Sequence, residues 1–130
     1  WDESKNAGFS TGQPWLAVNP NYQSINVQEA LANPDSIFYT YQKLVQIRKE
    51  NSWLIQADFE LLETTDKVFA YIRKDGGRRF LVVANLSNEE QDLTVEGNVK
   101  SVLIENTTVQ GVFEKQILAP WDAFCVELTD

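Results

Sequence analysis

The sequence predicts a mainly β protein: an antiparallel β-sandwich preceded by a long loop and one or two α-helices. Three observations carry this. Beyond Ser52, apolar residues recur at every second position in short runs separated by turn formers. Those runs follow one another at the 8–12-residue spacing typical of sandwiches. Ahead of them lies one stretch with three-and-four apolar spacing, and ahead of that a segment with neither period. The 130 residues are 43% hydrophobic and 23% charged, a globular balance. They make one ordinary domain, or a domain with an appendage.

The first segment, residues 1–26, alternates turn formers with the aromatics Trp1, Phe9, Trp15 and Tyr22. Irregular segments of about 25 residues are unusual inside a compact domain and are mostly functional or disordered. The aromatic content argues against disorder. Asn26 and Glu29 have capping-box spacing and predict a short helix from Val27 to Ala32. Asn33-Pro34 stops it, and the same pair predicts a second helix with Asn33 as N-cap and Pro34 at its first position, running to Glu50. Ile37, Phe38, Tyr41, Leu44, Val45 and Ile47 give that helix a broad apolar face. Arg48 and Lys49 suit the negative end of its dipole.

Strands are predicted at 57–63, 68–74, 79–86, 90–96, 99–105, 112–118 and 123–129. Asp75-Gly76-Gly77 is a hairpin signal. Phe80 to Leu86 is almost continuously apolar and reads as a central strand. A helix alone ahead of a sandwich must bury its face against the sandwich or against a domain lying elsewhere.

Composition excludes much chemistry. There is no histidine, so no His-centred triad, general base or metal ligand is available. The one cysteine, Cys125, forms no internal disulfide and reads as a small buried hydrophobe. A net charge of −8 disfavours a phosphate backbone as partner. No apolar run reaches about 18 residues, so no spanning helix is predicted. The chain begins at Trp1 with no signal-like run and contains no methionine, which reads as part of something longer. Paired carboxylates are the remaining catalytic option, and glycoside hydrolysis uses two of them. Asp2, Glu3, Glu89, Glu90 and Asp122 are the candidates. Glu89, Glu90 and Asp122 read as solvated groups or turn caps. Trp1 and Trp15 are candidates for stacking on sugar rings, whereas Trp53 and Trp121 read as core or hinge packing. Arg73, Lys74, Arg78 and Arg79 read as a solvated hairpin end.

The loop strings are Trp1-Asp2, Asn6-Ala7-Gly8-Phe9-Ser10, Pro14-Trp15-Leu16, Val18-Asn19-Pro20-Asn21-Tyr22 and Ile25-Asn26-Val27. With the helix from Ser36 to Lys49, the strand Leu81 to Ser87 and the ending Leu118 to Phe124, they resemble the α-glucosidase branch of glycoside hydrolase family 13, the α-amylase superfamily. The resemblance covers the whole chain and is most specific over its first 50 residues. It implies that residues 1–52 are the last loop and last helix of an incomplete (β/α)₈ barrel, and that 53–130 are the C-terminal β-sandwich domain. It implies a retaining enzyme that removes α-1,6-linked glucose from short glucans, with hydrolysis of trehalose 6-phosphate as the alternative. The catalytic carboxylates would lie on earlier barrel strands, so no catalytic residue is assigned here. Trp1, Asp2, Asn6 and Phe9 would stand at the rim of the sugar pocket. No metal site is assigned and no organic cofactor is implied, and the enzyme would be cytoplasmic in a bacterium. The expected partners are the N-terminal catalytic barrel, an α-glucan oligosaccharide in the full enzyme and, for this chain alone, a second copy meeting the apolar helix and the Trp1–Tyr22 segment.

A different class of function, a non-catalytic carbohydrate-binding module, predicts at least two tryptophan rings on one open face. A piece of a barrel enzyme predicts an apolar helix face without its partner.

Overall fold

A computed structural model describes residues 1–109, 112–113 and 115–129. The chain divides into two compact units, Trp1–Gln46 and Ile47–Asp130.

The first unit is mostly loop. It holds two 3₁₀ turns, Lys5–Gly8 and Pro20–Gln23, then helix α1 (Val27–Ala32). The N-cap of α1 is as predicted: the Asn26 carboxamide accepts from the Glu29 backbone N–H at 2.9 Å. Its amide donates to the Tyr22 carbonyl at 3.0 Å, tying the cap to the preceding turn. The second helix, α2 (Ile37–Glu50), ends where expected but begins three residues later than its predicted first position. Asn33 spends its side chain on the Asp35 N–H at 3.0 Å, closing a turn instead of capping a helix. Ser36 donates its hydroxyl to the Ala30 carbonyl at 2.7 Å, and Tyr39 donates to the Leu31 carbonyl at 3.0 Å. These bonds hold α2 beside α1. Only Ala7 and Asn26 are buried in this unit.

The second unit, after the end of α2, opens with a 3₁₀ turn, Ser52–Ile55. Eight strands follow among the described residues: β1 (Asp58–Leu61), β2 (Val68–Asp75), β3 (Arg78–Asn85), β4 (Gln91–Leu93), β5 (Gly97–Glu105), β6 (Val112–Phe113), β7 (Gln116–Leu118) and β8 (Ala123–Thr129). Six form an antiparallel sheet in the order β1-β2-β3-β8-β5-β6, and β4 pairs with β7 in a second. The sandwich is therefore present. Of the run predicted as one strand over 112–118, Val112–Phe113 pairs in the six-stranded sheet and Gln116–Leu118 in the two-stranded one. Residue 114 lies outside the described residues.

The core lies between the sheets. Leu81 and Val83 of β3 and Val126 and Leu128 of β8 meet Leu93 of β4, Leu118 of β7 and Val95. The β3 strand is central as predicted, flanked by β2 and β8. Gly76 and Gly77 adopt φ of 54° and 84°, the left-handed pair that a two-residue hairpin turn requires. The buried side chain of Asn85 donates to the carbonyls of Glu89 at 2.8 Å and Ala119 at 2.9 Å. It accepts from the Ser87 N–H at 3.0 Å and the Ser87 hydroxyl at 2.8 Å.

The basic cluster around the hairpin is not simply solvated. Arg73 donates to the carbonyls of Leu54 at 2.7 Å, Ala57 at 2.8 Å and Asp58 at 3.2 Å. Arg78 donates to Asn51 Oδ1 at 2.9 Å and lies 4.8 Å from the Trp53 ring centroid. Trp53 itself meets Phe80 edge-on at 4.8 Å, so it is packing as predicted. The two arginines bind the Asn51–Asp58 segment to the sheet, a long-range use of guanidinium donors that hairpin composition does not announce. Trp121 departs from its predicted packing role: it sits in a turn at φ 65° with its ring exposed.

Candidate functional site

The loop residues singled out in the sequence gather around a strained turn. Asn6, Ala7 and Gly8 all have positive φ, at 58°, 54° and 72°. Three left-handed residues in succession are costly and persist only where the surroundings fix them. Two contacts do so here. The Asn6 amide donates to the carbonyls of Ser10 and Gly12, both at 2.9 Å, and Ala7 is fully buried. Gly8 is required on a second count: a Cβ there would stand 3.1 Å from the Asp2 carboxylate oxygens.

Asp2 closes the other side of the turn. Its Oδ1 accepts from the Ser4 N–H at 2.9 Å and from the Ser4 hydroxyl. The hydroxyl bond first, and the backbone bond second, hold its pKa below the ordinary 3.8. A lowered carboxylate pKa stabilises the bonded form above the unfolded value, and that contribution is lost as pH falls through the folded one. An NMR titration of the Asp2 carboxyl should give a midpoint below 3.8. Ser4→Ala should raise that midpoint part of the way back, since the backbone donor survives.

Trp1 and Phe9 pair at 5.7 Å with a 43° tilt. They open a crevice of about 480 Å³ lined also by Trp15, Val18, Tyr22 and Ile25. Asp2, Ser4, Gly8, Phe9 and Ser10 border an adjoining depression. Trp1, Asp2 and Phe9 thus converge on adjoining hollows, with Phe9 shared between them. Asn6 spends its amide on the turn. Glu3 is exposed. Val18 and Ile25, which wall the crevice, belong to the loop strings that carry the family resemblance but were not among the candidate site residues.

The other candidate carboxylates lie in the second unit. Glu89 pairs with Lys67, Glu90 is exposed, and Asp122 accepts from the Ala119 N–H at 2.8 Å as a turn cap. Cys125 is buried, and burial pushes its thiol up to about 12, so it is no nucleophile at neutral pH. Among the described residues no group of histidine, cysteine, aspartate or glutamate could hold a metal ion, and no helix is long and apolar enough to cross a membrane.

Two family models match in tandem. Residues 1–57 match the α-amylase catalytic domain, and residues 59–124 match the maltogenic amylase C-terminal domain. The chain belongs to the α-amylase superfamily, and its second unit is a C-terminal β domain of that superfamily. It is 89% identical over 128 residues to a glucan 1,6-α-glucosidase of Streptococcus pneumoniae serotype 4, covering 98% of this chain and 24% of that protein. It is 52% identical to a glucan 1,6-α-glucosidase of Streptococcus dysgalactiae subsp. equisimilis, covering 99% of this chain and 24% of that protein. With a trehalose-6-phosphate hydrolase of Bacillus subtilis the identity is 33%, covering 99% and 24%. A crystal structure of a mutant isomaltulose synthase from Erwinia rhapontici in complex with D-glucose superposes with a TM-score of 0.91 at 37% identity, covering all of this chain and 24% of that one. The chain therefore spans about a quarter of the length of the relatives it matches.

Proposed function

We propose that this chain is the C-terminal part of a cytoplasmic bacterial α-glucosidase that hydrolyses α-1,6-linked glucose from short glucans with retention of configuration. The observation that carries the reading is the first unit itself. It matches the catalytic-domain family over its whole length, yet it buries only two of its 46 residues. A segment so poor in core is completed by other chain. Residues 1–52 are the last loop and helix of the barrel, and 53–130 are the C-terminal domain.

In this reading the nucleophile and the acid/base carboxylate stand outside the chain, and no residue here is catalytic. Retaining glycosidases form and then hydrolyse a glycosyl-enzyme intermediate between two such groups about 5–5.5 Å apart. The part played by this chain is positional. The strained turn at Asn6–Gly8, fastened by Asp2 and by the Asn6 amide, holds Trp1 and Phe9 as an apolar wall at the pocket rim. Retained alone, the chain associates with a second copy through its open helix.

Expected results follow for the full-length enzyme and for this chain. The enzyme releases glucose from isomaltotriose far faster than it cleaves trehalose 6-phosphate, and the 130-residue chain stays at the buffer blank with an aryl α-glucoside. Reversed selectivity would assign the enzyme to trehalose 6-phosphate. Hydrolysis by the chain alone would overturn the assignment of catalysis to the rest of the protein.

A carbohydrate-binding module is the second reading, and one observation favours it. Trp1 and Trp15 line the same crevice, and Trp15 is 91% exposed. Micromolar affinity of this chain for isomaltose, measured by calorimetry, would support it. The α2 face answers the enzyme reading in the same way, with Ile37, Phe38, Tyr41, Leu44 and Val45 exposed. The relatives, all of them named as enzymes, favour the first reading.

A further inference from the structure

The last carbonyls of an α-helix have no partner within it, and many helices end on a left-handed residue whose turn brings later N–H groups back onto them. Helix α2 ends differently. Asn51 follows it at φ −116°, outside the left-handed region. The Ile47 carbonyl accepts twice from Asn51, from the backbone N–H at 3.1 Å and from the side-chain amide at 2.8 Å. A carboxamide can face either way, and its neighbours decide which. The Trp53 indole donates to Asn51 Oδ1 at 3.2 Å, and Arg78 donates to the same oxygen at 2.9 Å. Indole and guanidinium can only donate, so they hold the oxygen on their side and leave the amide to the helix. Arg78 is itself fixed. Its guanidinium lies 4.8 Å from the Trp53 ring centroid and 5.8 Å from that of Phe80. Its Nε stands 3.8 Å from Glu127, a side chain only 12% exposed, which Lys100 meets at 2.9 Å. One polar chain thus runs from β5 through β8 and β3 to the end of α2.

We propose that Arg78 is a positioning residue for the C-terminal end of α2: by orienting the Asn51 carboxamide, it closes the helix from the sheet. The proposal concerns bonds within this chain and stands whichever sugar the whole protein acts on. Residues 1–57 match the catalytic-domain family and 59–124 the C-terminal one, so a side chain of the second sets a helix end in the first. The two hairpin arginines divide the work. Arg73 donates to the carbonyls of Leu54, Ala57 and Asp58, all beyond Asn51, and fastens the connecting segment. Arg78 reaches the cap itself. Its bond to Asn51 carries the charge and is the shorter of the two on that oxygen, so it outweighs the indole bond in fixing the carboxamide. Without it the last turn of α2 opens more often, as helix ends do when their carbonyls lack partners.

Amide hydrogen exchange of the full-length protein, read by mass spectrometry on peptides covering 47–53 and 79–86, tests this. Arg78→Ala should speed exchange over 47–53 about tenfold while β3 stays within about twofold of the parent. Asn51→Asp is the second arm. It keeps the acceptor for Arg78 and Trp53 but loses the amide that reaches Ile47, so it should speed the same peptide about tenfold with the arginine still in place. Arg73→Ala is the control and should leave 47–53 within about twofold, since its carbonyl partners lie further along the chain. Unchanged exchange over 47–53 in either Arg78→Ala or Asn51→Asp overturns the proposal. So does equal acceleration of 47–53 and β3, which is general destabilisation, and so does an Arg73→Ala effect as large as that of Arg78→Ala, which would credit any loosening of the segment. If Arg78→Ala does not fold, Asn51→Asp against Arg73→Ala decides by the same limits.

Discussion

Replacing Asn85 with alanine will lower the unfolding free energy of the sandwich unit by about 3–5 kcal/mol, enough to unfold many domains of this size. Asn85 is buried, and its carboxamide makes bonds to Ser87, Glu89 and Ala119. Each carbonyl left unsatisfied in a dry site costs about 1–3 kcal/mol, and the freed volume adds a cavity. Asn85→Asp is the diagnostic partner. It keeps the acceptor for Ser87 but replaces the amide donor with a carboxylate oxygen facing two carbonyls. We expect it to be nearly as damaging as alanine, although it changes one atom. Urea unfolding followed by tryptophan fluorescence reads both. A loss under about 1 kcal/mol for either variant would show that water replaces the network.

The same asparagine shows why some of this molecule was legible in advance and some was not. It joins the string Leu81 to Ser87 to the string Leu118 to Phe124, two stretches that the sequence reading singled out separately. Local rules carried the elements whose causes are local: the Asn26 cap, the Gly76-Gly77 turn and the apolar β3 run. They failed where a distant partner decides the outcome. Asn33 has the composition of an N-cap, yet a turn claims its side chain before α2 begins. The 112–118 run has a strand period, but the chain divides it between two sheets. Arg73 has the look of a hairpin-end charge, and three carbonyls 15 to 19 residues earlier take its donors. In the candidate site the aromatics Trp1 and Phe9 were legible because aromatics are rare among turn formers. The run of positive φ that holds them was not, because Ala7 carries no sign of a left-handed backbone.

The largest effect expected in the full-length enzyme belongs to α2. Ile37, Phe38, Tyr41, Leu44, Val45 and Ile47 span roughly half of the helix circumference, wider than a single seam requires. Ile37 is 86% exposed and Tyr41 68%. On the proposed reading of α2 as a barrel helix this face is covered, and an uncompensated charge placed there costs about 3–5 kcal/mol. Tyr41→Asp should therefore destabilise the full-length enzyme by that amount and lower its thermal midpoint, whereas Lys43→Gln, on the opposite side of the helix, should leave it within about 0.5 kcal/mol. In the 130-residue chain the direction reverses in meaning. Tyr41 there faces water or a second copy, so the aspartate should cost no folding stability and should move sedimentation from dimer toward monomer. A chain that is monomeric at every concentration would remove the second copy as partner and leave the barrel contact untouched. Equal denaturant midpoints for Tyr41→Asp and Lys43→Gln in the full-length enzyme would mean that the α2 face stays open there, and that the first unit must find its missing core on another surface.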